Sequence, residues 1–231
     1  MSDREQFLSR VRRQLAEARR HGHDAGAAHP GSFSGYSFAA DASVEALLAQ
    51  FTAELEALAG HIHPADSIEQ ATAAVLEILR RHHSTSALAW QSGPEPLVAV
   101  LAGLRQAGIS LWDGHLPANA AARRARLAEL DGVVVGVSGA HGALADTGAI
   151  ALVSGPGQGR LASLLPPVHV AVLSRRQIYP SLPAFLAAQP EAVTRGSNLA
   201  FIAGPSRTGD IEMTLSMGVH GPGEVHVVVA P

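Results

Sequence analysis

The stretch Gly132–Gly155, "GVVVGVSGAHGALADTGAIALVSG", decides the architecture. It opens on the apolar run "GVVVGVSG", the kind of run a strand shows when both its faces are buried. Upstream, strand and helix patterns alternate through "SALAW", "PEPLVAVLAGLRQAG", "ISLWD" and "PANAAARRARLAEL". That alternation predicts a parallel sheet covered by helices on both faces. The rhythm then breaks. "AIALVSG" follows with no room for a crossover helix, and "VHVAVLS" comes after only the short "RLASLLPP". The expected fold class is therefore α/β: an open, mixed, mostly parallel sheet flanked by helices, with at least one antiparallel pair.

Working outward, "SVEALLAQFTAELEALAG" places Val44, Leu47, Leu48, Phe51, Leu55 and Leu58 on one helical face, with Gly60 as its stop. In "DSIEQATAAVLEILRR", Ser67 and Gln70 have capping-box spacing. "YPSLPAFLAAQ" reads as a last small helix. The N-terminal "MSDREQFLSRVRRQLAEARR" is a charged amphipathic helix with no apolar core region, neither a secretory signal nor a transit peptide. The Gly-, Pro-, Ser- and His-rich "HGHDAGAAHPGSFSGYSFAAD" after it reads as a flexible arm. Residues 1–42 are thus an N-terminal helical extension and arm, and 43–231 a single globular domain.

Composition narrows the function. Of 231 residues, 47% are hydrophobic and 16% charged, which suits a well-buried core. A net charge of −3 and few aromatic side chains argue against nucleic-acid binding. With no cysteine, this chain cannot supply thiolates to a zinc site or an iron–sulfur cluster. No apolar run approaches the ~20 residues of a membrane helix, and the cytoplasm is the expected location. The histidine pairs at 21–23, 61–63 and 82–83 fall in linkers or on helix ends, and no structural metal is expected.

Three clusters carry the chemistry. "GPSRTGDIEMTLSMGVHGPGEVHVVVA", Gly204–Ala230, reads as strand, helix and strand. Ser206 or Thr208 would cap the helix, Asp210 and Glu212 would sit in its first turn, and Gly218 would end it. His220 stands in a Gly-rich turn that needs no imidazole, whereas His226 reads as a satisfied core or edge histidine. The second cluster sets Ser138, His141, Asp146 and Thr147 among glycines; it fits neither a dinucleotide fingerprint nor a nucleophile elbow. The third, "SGPGQGRLASLLPPVH", puts Arg160 beside a helix start, suited to a carboxylate or phosphate.

Together, "ADTGAIALVSGPGQGRLASLLPPVHVAVL" and "GPSRTGDIEMTLSMGVHGPGEVHVVV" resemble the signature segments of the LUD domain, in its single-domain form the lactate-utilization protein C (LutC/YkgG) family. The resemblance covers about residues 40 to 230. It implies a fold similar to the NagB/RpiA/CoA-transferase-like superfamily and a cluster-free subunit of a bacterial system oxidising L-lactate to pyruvate. The iron–sulfur clusters would reside in partner proteins, with no cofactor bound by this chain. The matching positions are Asp146, Thr147, Gly148, Arg160, His169, Gly204, Pro205, Ser206, Arg207, Asp210, Glu212, His220 and Gly221. Of these, Asp146, Glu212 and His220 are candidates for proton handling, because removing hydride or electrons from a 2-hydroxy acid needs a base. Thr147, Gly148, Arg160, His169, Gly204, Ser206, Arg207, Asp210 and Gly221 would line a pocket for a small anion. The alternative is a stand-alone isomerase or CoA-transferase-like enzyme acting on a sugar phosphate or acyl-CoA.

Overall fold

Six short strands, none longer than seven residues, build the main sheet of the computed structural model. They are β1 (His61–Pro64), β2 (Ser86–Ala89), β3 (Ser110–Trp112), β4 (Val135–Gly139), β7 (Val168–Ser174) and β12 (Glu224–Ala230). Their order is β1-β12-β7-β4-β2-β3, and every neighbouring pair is parallel. β4, β7 and β12 are buried almost throughout, which is why they read as mostly apolar runs.

The antiparallel pairing expected downstream of β4 is present, in a second sheet. β5 (Gly142–Leu144), β6 (Ala149–Ser154), β8 (Ile178–Tyr179) and β9 (Asn198–Ile202) are ordered β8-β5-β6-β9. β6 runs antiparallel to both β5 and β9. A four-residue turn joins β5 to β6, too short for a crossover helix, so the chain can only fold back on itself.

The structure describes residues 4, 5, 8, 9, 42–209, 215–218 and 220–231. Two units divide the chain, Met1–Ser37 and Phe38–Pro231. In the first, Arg4, Glu5, Leu8 and Ser9 are helical; the expected arm lies outside the described residues.

Helix α1 (Val44–Ala57) buries Leu47, Phe51 and Leu55, one residue per turn, each contributing roughly 1.5–3 kcal/mol. Ser43 caps it by accepting from the Ala46 N–H. Its end corrects the expectation for Gly60. The left-handed residue is Ala59, at φ 62°. The Ala59 N–H donates to the Glu56 carbonyl and the Gly60 N–H to the Leu55 carbonyl, a Schellman closure in which Gly60 is the residue after the turn. Helix α2 (Ile68–Arg81) starts as expected, with Ser67 Oγ accepting from the Gln70 N–H; the Gln70 side-chain Oε1 accepts from the Asp66 N–H rather than from that of Ser67. Helices α3 (Leu97–Gln106), α4 (Ala120–Leu130) and α5 (Leu182–Ala188) fall where the pattern placed them.

The C-terminal unit is the larger correction. β10 (Arg207–Gly209) and β11 (Leu215–Met217) pair antiparallel, so the described residues where the helix is expected to begin and end are strand. The segment is anchored by its backbone: the Ser206 N–H donates to the Pro222 carbonyl, and the Gly218 N–H to that of Ser206. Gly204 and Gly148 hold it on α1. The β6–β9 register pairs Ile150 with Ile202; continued two residues, it sets Gly148 across from Gly204. Both have positive φ, at 63° and 78°. A Cβ on Gly148 would meet the Leu55 nitrogen at 2.5 Å, and one on Gly204 the Leu58 oxygen at 2.7 Å. Two pieces of the sequence over fifty residues apart therefore meet at one end of α1, and only glycine meets both demands there.

Candidate functional site

In parallel α/β sheets ligands collect beyond the carboxyl ends of the strands. Here those ends carry Trp90–Pro94 after β2, Ala140 and His141 after β4, and Arg175–Gln177 after β7. Residues following β6 in the second sheet face the same space. Between them lies a cleft of about 490 Å³, lined by His141, Ser154, Gln158, Gln177, Gln189 and Arg195 together with four glycine and proline neighbours and Val153 and Gly155. Among the described residues no carboxylate lines it. Arg195 is exposed at its rim and takes part in no ion pair among the described residues.

His141 is 3% exposed, and its tautomer follows from its partner. The Val153 N–H donates to its Nδ1 at 3.2 Å, so the neutral ring carries its proton on Nε2. Burial, reinforced by Arg195, pushes its pKa down to about 4, so the ring is neutral at physiological pH. The site therefore offers a permanent cation and, in His141, a neutral imidazole N–H donor. Gln177 is committed to structure: its amide N–H donates to the Ala140 carbonyl, and its oxygen accepts from the Ser174 N–H.

The positions read from sequence divide between three places. Arg160, Gly204, Ser206, His220 and Gly221 line a smaller cleft of about 260 Å³. It opens near the amino ends of β7 and β12, since the Gly223 N–H beside it donates to the Pro167 carbonyl. Asp146, Thr147 and Gly148 lie in the β5–β6 turn and line neither cleft. Burial raises the Asp146 carboxyl above the usual carboxylate range, opposed by hydrogen bonds from Thr147 and its own backbone, and its Oδ1 is buried with no partner among the described residues. Arg207 donates to the Leu58 carbonyl, binding the ribbon to the end of α1. Asp210 and Glu212 lie outside the described residues.

His169 is fully buried inside β7. Its Nε2 lies 2.8 Å from Ser138 Oγ, and burial, then His226, pushes its pKa down to about 3. That separation suits a nucleophile and base, yet neither residue lines either cleft, and its Nδ1 has no partner among the described residues. The pair is a neutral polar link inside the sheet. Sequence reading weighed His141 but gave it no role, and it missed Arg195. Nothing local marks Arg195: it becomes significant only because the segment before β9 comes back over the carboxyl ends of the main sheet.

A mostly parallel sheet flanked by helices, with a polar cleft beyond its carboxyl ends, defines an open α/β protein. The chain belongs to the LUD domain family, whose pattern matches residues 48–230. A Lactate utilization protein C of Halalkalibacterium halodurans is 30% identical over 161 residues, covering 68% of this chain and 66% of that protein. One of the same name from Geobacillus sp. is 34% identical over 125 residues, covering 52% of this chain and 49% of that protein. The matches thus span between about half and two thirds of those relatives. The crystal structure of a DUF162 family protein from Deinococcus radiodurans, 23% identical, superposes with a TM-score of 0.59 over 82% of this chain and 99% of that one, and shares its fold.

Proposed function

We propose that this protein acts in lactate utilization and binds a small 2-oxo or 2-hydroxy carboxylate, of the pyruvate and L-lactate type, in the His141–Arg195 cleft. The observation that carries the reading is the lining: a guanidinium and an imidazole N–H around about 490 Å³, with no carboxylate to repel an anion. Arg195 pairs with the carboxylate in the two-point geometry that guanidinium favours. His141 Nε2–H donates to the oxygen on the adjacent carbon. With Nδ1 taken by Val153, His141 orients the ligand and does not act as the base.

Oxidation of lactate to pyruvate removes two electrons and two protons. In this reading, taken from the resemblance to the lactate-utilization protein C family, iron–sulfur partner proteins accept the electrons in the cytoplasm with this chain as their cluster-free subunit, a role that its lack of cysteine suits. The names of its relatives support the system. Purified chain with L-lactate and an artificial electron acceptor should show no turnover; turnover by this chain alone defeats the subunit reading.

Binding is tested directly by titrating pyruvate and L-lactate calorimetrically. Arg195→Ala should weaken binding about 10–100-fold, the value of one charged hydrogen-bonded contact. Arg160→Ala should leave it unchanged. The reverse pattern would move the ligand to the Arg160 cleft. One feature favours a larger ligand: a second hollow of about 390 Å³, lined by Trp90, Asp113 and His115, shares Gly155 and Pro156 with the first. Stabilisation by a sugar phosphate or an acyl-CoA, and not by pyruvate, would select the isomerase or CoA-transferase-like alternative.

A further inference from the structure

Four histidines and a glutamate gather near the opposite end of the main sheet. The "HIH" of residues 61–63 is no linker; it is edge strand β1, paired in parallel with β12 so that His61 stands in register with His226. Glu224 opens β12, and His226 follows two residues on, on the same face. His82 caps the C-terminus of α2. As a result His82 Nε2 lies 3.1 Å and His226 Nε2 3.4 Å from the same oxygen, Glu224 Oε2. His63 Nε2 is 3.1 Å from His226 Nδ1, and the His61 ring stacks on His226 with centroids 4.7 Å apart.

We propose that His82 Nε2, Glu224 Oε2 and His226 Nε2 form a binding site for a divalent transition-metal ion of the zinc class, with His63 orienting His226. One ligand atom from each of the three lies within 4.8 Å of the others. Ligands about 2.0–2.1 Å from a tetrahedral ion stand roughly 3.3–3.4 Å apart, close to the 3.1 and 3.4 Å separations found. Two imidazoles and one carboxylate are the donor set that zinc and its neighbours accept, with remaining positions left to water. Exposure matches that division: the His226 side chain is 1% exposed, while those of His82 and Glu224 are 19% and 44% exposed.

The fourth histidine supplies what a ligating imidazole needs. A ring bound through Nε2 carries its proton on Nδ1 and donates it to a second group. For His226 that group is His63 Nε2. Without the ion the chain of donors reverses: His63 donates to His226, and His226 and His82 both donate to Glu224. The network therefore switches between two hydrogen-bonding states by moving ring protons. Glu56 and Arg81 line the groove beside His61, His63 and His226, so the charge of Arg81 near the ion is balanced within the same groove.

The test uses the full chain, stripped with a chelator and titrated with zinc alone by calorimetry, then with cobalt(II) followed by its visible absorption. One equivalent should bind, and cobalt should show the intense band of a four-coordinate centre. His63→Leu should lower zinc affinity about 10–100-fold, the usual effect of losing an outer-shell partner, and His63→Gln should restore part of it. Glu224→Gln and His82→Gln, both at partly exposed positions, should lower it further while circular dichroism stays unchanged. Absence of saturable binding overturns the site. So does zinc that binds both variants with undiminished affinity, because it is then held elsewhere on the chain.

Discussion

Gly136→Ala should cost roughly 3–5 kcal/mol of folding stability, a large share of the 5–15 kcal/mol typical of a domain, and should leave most of the expressed chain insoluble. Gly136 lies in β4, between β2 and β7 in the middle of the parallel sheet. A Cβ added there would sit 1.8 Å from the Ala162 carbonyl oxygen and 2.9 Å from its carbon. The obstacle is backbone, so no side-chain rotation relieves it. Relief requires shifting the 3₁₀ turn Arg160–Ser163, whose Ala162 and Ser163 are buried. Gly132→Ala is the matched control, since nothing lies within 4 Å of its added Cβ, and its effect should stay within about 0.5 kcal/mol. Urea unfolding of the two variants checks the pair. A Gly136→Ala protein as stable as the parent would show that the turn does not pack on β4 as described.

That contact also shows how the sequence can be legible and misleading within a few residues. The strands β4, β7 and β12 are readable because burial on both faces leaves them mostly apolar, with only Ser138, His169 and His226 as polar side chains buried within them. The β5–β6 reversal is readable because four residues cannot hold a crossover helix. The C-terminal unit is different. Ser206, Thr208 and Asp210 suit a helix N-terminus, but Ser, Thr and Asp satisfy backbone donors in turns equally well. What excludes the helix is the pairing of Arg207–Gly209 with Leu215–Met217, together with Gly204 seated on the end of α1. Strand β1 was hidden for a related reason. Its four residues carry two histidines and a proline, and its partner β12 lies about 160 positions away. The site followed the same rule. His141 could be noticed beside a strand end, whereas Arg195 gains its role only from tertiary placement. Of the positions read from sequence, Arg160, Ser206 and His220 do converge on one hollow, while Asp146 stands apart from them.

Stability should fall steeply between about pH 6.5 and pH 4, with His141 and His169 responsible for much of the slope. Both are held neutral when folded, at about 4 and about 3, mainly by burial. In the unfolded chain each titrates near 6.5. Below that pH the unfolded state binds two protons that the folded state refuses, so stability decreases as pH falls and is fully present only above about 6.5. Each such group contributes up to about 1.4 kcal/mol per pH unit, so together they approach ~3 kcal/mol per unit near pH 5. The structural events differ at the two sites. Protonating His141 on Nδ1 removes the acceptor of the Val153 N–H and places a second cation beside Arg195. Protonating His169 puts a charge in the fully buried centre of the sheet, next to a Ser138 hydroxyl that can accept only one bond from it at 2.8 Å. Urea midpoints measured at half-unit intervals from pH 7.5 to 4.5 give the slope. His169→Gln, which keeps a polar partner for Ser138 but cannot charge, should flatten the curve by about a third even if it lowers stability at pH 7, because the buried His226, held down to about 4, adds to the slope beside His141. A parent protein whose stability is level across that range would mean that these rings are hydrated in the folded chain and that β7 is less tightly packed than described.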